Sequence, residues 1–172
     1  MKAKEIINWV VYFVCLLAVV FVINTFVVQR TMVSGDSMYP YLHNKDQLMM
    51  DKLSYRFHDP ERFDIIVFPF QYQSNTYYIK RIIGMPGDTI DIVDGKVYLN
   101  GSDTPLDEPY LHEPMEPEEP QHYEVPDGCY FMLGDNRNYS NAARRWTHKY
   151  VKRDNLVAKV LFQYFPKIQK LN

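Results

Sequence analysis

Two side chains of this 172-residue sequence could share a proton, and neither is a histidine. Ser37 lies in the stretch SGDSMYP (34–40), between an acid and a methionine. Lys80 lies in YYIKRIIGMPGD (77–88), among Tyr78, Ile79, Ile82 and Ile83, ahead of a Gly84–Gly87 turn. Ser37 reads equally as a turn residue or as a nucleophile. Two placements also fit Lys80. On an edge strand it points to water and is an ordinary surface lysine. Turned inward it loses hydration, burial disfavours the ammonium, and its pKa falls. A neutral amine accepts a proton, so a serine beside it has a general base without any histidine. Arg81, one residue on, leaves a strand on the opposite face. If covered it needs a carboxylate, and Asp135 in the third stretch, GDNRNYS (134–140), is the candidate. NAARRW (141–146), with Arg144, follows directly.

The elements that must position these residues begin with an apolar run, Ile6 to Val28, that contains no Asp, Glu, Lys or Arg. As a helix rising about 1.5 Å per residue it spans roughly the hydrocarbon thickness of a bilayer. Trp9 near its start fits an interfacial aromatic belt. A cleaved signal peptide would have a shorter apolar core and a small-residue cleavage site, which NTFVVQR (24–30) lacks. A soluble core helix rarely stays apolar all round for so long. The run therefore reads as an uncleaved anchor. Lys2, Lys4 and the amino terminus precede it, against Glu5, while Arg30, Lys45 and Lys52 follow. That bias only weakly favours the amino terminus inside.

Beyond residue 30 the pattern is strand-like. Strands are expected over 47–53, 64–68, 75–83, 125–133 and 156–165. TIDIVDGKVYL (89–99) reads as a hairpin turning at Asp94-Gly95. No long amphipathic helix is expected outside the anchor, so the fold class is mainly β, one anchor helix followed by an all-β domain of short strands. Residues 104–126 carry six prolines and a run of acids and read as an extended, solvated surface loop. The organisation expected is a cytoplasmic amino terminus (1–5), an anchor (6–28) and an extracytoplasmic all-β catalytic domain (30–172) with the acidic loop at 104–126.

Composition removes other classes. A net charge of −2 and the absence of a basic stripe argue against nucleic acid. Cys15 sits inside the apolar run, so a disulfide to Cys129 is not expected. His43, His58, His112, His122 and His148 are scattered without metal-ligand spacing, so no metal or cofactor is expected.

Taken in order, the anchor, S-M-x-P, K-R-x-x-G-x-P-G-D and G-D-N-R-x-x-S resemble the type I signal peptidases, membrane-anchored Ser/Lys endopeptidases of bacteria. The likeness covers nearly the whole chain. It implies the fold of that family, coiled antiparallel sheets behind one transmembrane helix. It implies Ser37 as nucleophile, Lys80 as general base, and Ser140 as the serine that hydrogen-bonds and orients the lysine amine. The Ser37 backbone N–H would be one oxyanion donor. Some members add a serine hydroxyl two residues before the nucleophile; here that residue is Gly35, which also suits a tight turn. Val33, Met38, Leu42, Val67, Tyr78 and Ile79 match residues flanking a groove that takes an extended peptide by strand addition. Shallow pockets there would favour Ala at positions −1 and −3. The implied partners are preprotein signal peptides, the phospholipid bilayer and the secretion translocon, with work done at the outer face of the cytoplasmic membrane. Phe57 and Phe63 are candidates for bilayer contact.

The chain departs from the family at one place. Where an aspartate usually precedes the last motif arginine by two residues, this sequence has Ala142 before Arg144. That predicts an Arg144 without its charge partner, and an Ala142→Asp variant of higher activity or stability. It also keeps an alternative open, a pseudoenzyme that binds signal peptides without efficient cleavage. A self-cleaving Ser/Lys repressor-type protease is disfavoured by the anchor and by the absence of a DNA-binding segment.

Overall fold

A computed structural model describes residues 3–70 and 76–171 of the chain. Met1, Lys2, residues 71–75 and Asn172 lie outside it, and with them Lys2 of the charge comparison and Asn75, the expected start of a strand. The apolar run forms helix α1 (Ala3–Val22), continued by a five-residue π-helical turn, Ile23–Val27. The most apolar 18 residues within the helical stretch Ala3–Val27 have a mean hydropathy of 2.8, and none of the stretch is buried by the rest of the protein. It is a candidate membrane span on length and composition. Val28, expected to close the anchor, instead opens strand β1 (Val28–Met32), so the helix runs straight into the sheet. Lys52 fixes that junction: its backbone N–H donates to the Val27 carbonyl (2.9 Å) and its Nζ to the Thr25 carbonyl (3.1 Å).

The remaining strands are β2 (Gln47–Asp51), β3 (Ile65–Pro69), β4 (Tyr77–Gly84), β5 (Thr89–Val93), β6 (Lys96–Leu99), β7 (Gln121–Glu124), β8 (Cys129–Leu133), β9 (Tyr150–Lys152), β10 (Ala158–Phe165) and β11 (Gln169–Lys170). All pairings are antiparallel. One sheet has the order β1-β2-β10-β3-β4-β8-β9 with β11 on β10, and a smaller one the order β6-β5-β7. The 89–99 hairpin forms as expected. Asp94 and Gly95 both have positive φ (49° and 72°), the twist that a two-residue hairpin turn requires.

Three strands are shorter than expected, one ending early and two beginning late. Strand β2 stops at Asp51, whose carboxylate accepts the Leu53 N–H (2.6 Å) and Ser54 N–H (3.1 Å) and starts the one-turn helix α2 (Ser54–Phe57). The 125–133 run is strand only from Cys129, because Pro126 has no N–H and Gly128 (φ 67°) turns the chain. The 156–165 run is strand only from Ala158, since Arg153–Asn155 is a turn of 3-10 helix whose Arg153 carbonyl takes the Leu156 N–H (3.1 Å). Residues 121–124 of the expected loop form β7 on β5.

Two cores meet at β3, all of whose residues except Pro69 are buried. Ile66 and Phe68 face one cluster with Ile82, Phe131, Leu133 and Trp146. Ile65 and Val67 face the other, with Met38, Leu42, Leu48 and Val160. Strand β4 lies beside β3 in the register Ile66 opposite Lys80 and Ile65 opposite Arg81. Neighbouring residues leave a strand on opposite faces, so this register sends Lys80 and Arg81 apart.

Candidate active site

Ser37 stands in a tightly stitched loop after β1. Gly35 has φ 93°, a left-handed conformation that a side chain would strain, and its N–H donates to Asn44 Oδ1 (3.1 Å). Asn44 N–H returns a bond to Asp36 Oδ1 (3.2 Å), and Leu42 N–H closes a helical turn on the Met38 carbonyl (2.9 Å). The 134–141 loop grips this segment from the other side. Asn136 N–H donates to the Ser37 carbonyl (3.1 Å), and its Nδ2 to the Asp36 carbonyl (3.0 Å). Gly134 is required by close approach, since a Cβ there would collide with the Ser37 carbonyl and with Ser140.

Lys80 is the inward placement. It is 3% exposed, and its Nζ lies 2.7 Å from Ser37 Oγ and 3.2 Å from the Ile79 carbonyl. Burial lowers its pKa from 10.5 to about 8, while the Asp135 charge pulls the other way. Arg81 is covered, as anticipated, and finds its carboxylate. Its Nε and Nη2 meet the two oxygens of Asp135 at 2.8 and 2.6 Å, and its Nη1 donates to the Phe63 carbonyl (3.0 Å). The rings of Tyr41 and Tyr110 lie 5.0 and 4.1 Å from the guanidinium carbon. Arg81 thereby offsets the anion nearest to Lys80.

A groove of about 330 Å³ opens beside the pair. Val33, Met38, Val67, Tyr78 and Ile79 line it, as expected. Leu42 does not: it is fully buried in the core with Leu48 and Val160, because the turn closed on Met38 points it inward. The sequence reading missed Thr31, Met32, Ser34, Thr76, Tyr77 and Asn141, which complete the lining. Thr31 and Met32 lie between anchor and motif, where the sequence gave no periodic signal. Phe57 is 72% exposed, but Phe63 packs against the core with its ring edge-on to Tyr110 (5.9 Å), so of these two Phe57 alone offers a free apolar face.

Two expectations for the last motif are corrected. Ser140 Oγ is buried and has no hydrogen-bond partner among the described residues, rather than bonding the lysine amine. The amine instead uses Ser37 Oγ and its neighbour's carbonyl. Arg144 is not without a charge partner: Glu118 of the acidic segment pairs with it at 2.7 Å, and Arg144 Nη2 also donates to the Arg137 carbonyl. Ala142 is 2% exposed and belongs to the apolar core with Ala143 and Trp146. The premise for Ala142→Asp as an improvement is gone, since the carboxylate arrives from another segment.

Comparisons with known proteins point to one family. The family model for signal peptidase, peptidase S26, matches residues 6–165. A probable signal peptidase I-1 of Synechocystis is 38% identical over 157 residues, covering 87% of this chain and 78% of its own length. Signal peptidase I S of Bacillus subtilis is 31% identical over 182 residues, covering 99% and 96%. A crystal structure of a signal peptidase I from Enterococcus faecalis superposes with a TM-score of 0.50 at 32% identity, over 59% of this chain and 97% of that one. With a buried amine against a serine hydroxyl and a family match across nearly its full length, the chain belongs to the signal peptidase family, the serine peptidases S26.

Proposed function

We propose that the chain removes signal peptides from secreted preproteins by a Ser37/Lys80 dyad, cutting after small residues in an Ala-X-Ala pattern. The observation that carries this reading is the 2.7 Å contact between Lys80 Nζ and Ser37 Oγ, made by a lysine that burial drives toward neutrality. With a pKa of about 8, about one lysine in ten is neutral at pH 7, against about three in ten thousand for an unperturbed one.

Neutral Lys80 takes the Ser37 hydroxyl proton as Oγ attacks the scissile carbonyl carbon. The Ser37 N–H donates to the oxyanion of the tetrahedral intermediate. The ammonium returns its proton to the leaving amine, the C–N bond breaks, and the signal peptide stays esterified to Ser37. Lys80 then deprotonates a water that hydrolyses the ester. An ammonium carries three donors, and Ser37 Oγ and the Ile79 carbonyl occupy two. Ser140 Oγ, buried without a partner, is the acceptor we assign to the third once the proton has moved. The substrate lies extended between Thr31–Val33 and Thr76–Ile79, where a side chain larger than Ala meets Met38, Val67 or Tyr78.

The anchor, α1 with its π-helical turn, holds this site at a bilayer. We assign the amino terminus to the inside and residues 30–172 to the outer face, where signal peptides emerge. The alternative of binding without cleavage leaned on Ala142, and the Glu118–Arg144 pair favours the active reading. The test uses detergent-solubilised protein and a preprotein with one Ala-X-Ala site, the new amino terminus being read by mass spectrometry. Cleavage directly after the second Ala, absent in Ser37→Ala, is expected. Cleavage elsewhere, or by Ser37→Ala, overturns the proposal.

A further inference from the structure

The acidic, proline-rich segment is largely exposed, yet it is not a free loop. Leu106 N–H donates to the Val97 carbonyl (2.7 Å), and Met115 is buried, its carbonyl occupying the space where a Cβ of Gly95 would stand. Glu108 pairs with the buried Arg137, and Asn138 is held by Glu113 Oε1 (2.8 Å) and by the Glu116 N–H (2.8 Å). The strap is therefore fastened along the catalytic loop 134–141, and it ends on Glu118.

Arg144 explains why that last fastening matters. Its side chain is almost fully buried, and Glu118 is its only carboxylate partner at ion-pair distance among the described residues. Its other Nη donates to the Arg137 carbonyl. One residue earlier, Asn136 N–H holds the Ser37 carbonyl (3.1 Å), and the Asn136 carbonyl takes the Ser140 N–H (2.8 Å). A continuous path runs from the Glu118 carboxylate through the Arg144 guanidinium and the Arg137 backbone to the backbone of the nucleophile. Arg145 adds a second, exposed cation to Glu118 at 3.1 Å, and Gln121 Nε2 a hydrogen bond at 3.1 Å. Neutralising Glu118 leaves a buried cation unpaired, and Arg144 then has cause to leave its place on the loop.

We infer that Glu118 is a positioning residue for the reaction: it holds Arg144 on the 134–141 loop and through it the Ser37 backbone against Lys80. The kinetic side of this inference rests on the proposed cleavage; the structural side does not. Angstrom-scale misplacement of a nucleophile costs about ten- to a hundredfold in turnover.

The experiment compares the parent with Glu118→Gln, Glu118→Asp and, as a charge control on an exposed neighbour, Glu119→Gln. Two quantities are read: kcat and KM on the Ala-X-Ala preprotein, and hydrogen exchange of the Asn136 and Ser140 amides in the full chain. In Glu118→Gln, kcat falls about ten- to a hundredfold with KM unchanged, and both amides exchange faster. Glu118→Asp recovers part of both, and Glu119→Gln matches the parent. Unchanged exchange in Glu118→Gln overturns the inference whether or not the chain cleaves. So does a lower melting temperature with kcat and exchange intact, which reduces the pair to a stabilising contact. A parent that exchanges as expected but does not cleave refutes the proposed function alone.

Discussion

Replacing Lys80 by Met should stabilise the folded protein at neutral pH, and the gain should vanish as the pH rises. Met has a similar shape and cannot be charged. Lys80 is 3% exposed, so little solvent screening discounts its burial. A fall from 10.5 to about 8 means that folding opposes protonation of this amine. Below pH 8 the lysine is charged in both states and the folded state bears the full penalty, about 3 kcal/mol. Between 8 and 10.5 the unfolded chain binds more protons than the folded one, so parental stability climbs with pH. Above 10.5 both states are neutral and the penalty is gone. Losing the hydrogen bond to Ser37 Oγ takes back about 1 kcal/mol at every pH. The net expectation is about 2 kcal/mol in favour of Lys80→Met at pH 7, turning to about 1 kcal/mol against it at pH 11. Urea unfolding of the detergent-solubilised protein measures it, followed by fluorescence of the buried Trp146, which packs against Phe68 and Phe70. A variant less stable than the parent at pH 7, or a difference independent of pH, refutes the argument that burial disfavours the charged form of Lys80.

Ala142→Asp should lower stability by about 1–3 kcal/mol, because it places a carboxylate among Ala143, Trp146 and their apolar neighbours; thermal unfolding at pH 7 checks it, and a higher melting temperature would count against Glu118 as the partner of Arg144. Asp135→Asn should cost about 3–5 kcal/mol by leaving Arg81 buried between Tyr41 and Tyr110 without its anion. Denaturant midpoints of that variant and of Asp135→Asn with Arg81→Met test this, the second change restoring part of the loss.

The residues alone left Ser37 and Lys80 with two readings each, and it was the order of the motifs, resembling the signal peptidases, that paired them; the structure brings the two side chains to 2.7 Å. The hairpin at Asp94-Gly95 and the Arg81–Asp135 pair were readable from the residues themselves, one from turn chemistry and the other from the need of a covered guanidinium. What escaped the sequence depends on distance along the chain. Glu118 reaches Arg144 across 26 residues, and nothing in the acidic run distinguishes it from Glu116 or Glu119. Leu42 read as groove because its neighbours in the motif are groove, but one helical turn after Met38 sends it into the core. Strand β7 hid inside the proline-rich segment, since four residues, Gln121–Glu124, give too short an alternation against the surrounding composition. The resemblance set Ser140 on the lysine amine; in the structure its Oγ has no partner among the described residues, and the motif does not say which acceptors the amine takes.

The central claim is that buried Lys80, in its neutral form, is the base for Ser37. Its most direct test is kcat/KM on the Ala-X-Ala preprotein from about pH 5 to about pH 10 for the parent, Ser37→Ala and Lys80→Ala, since this quantity reports the titrations of the free enzyme. Activity of the parent alone, rising through a single basic titration near 8, is the expected result. A titration in the ordinary range of a histidine or of an exposed lysine, or cleavage that survives Lys80→Ala, would contradict it.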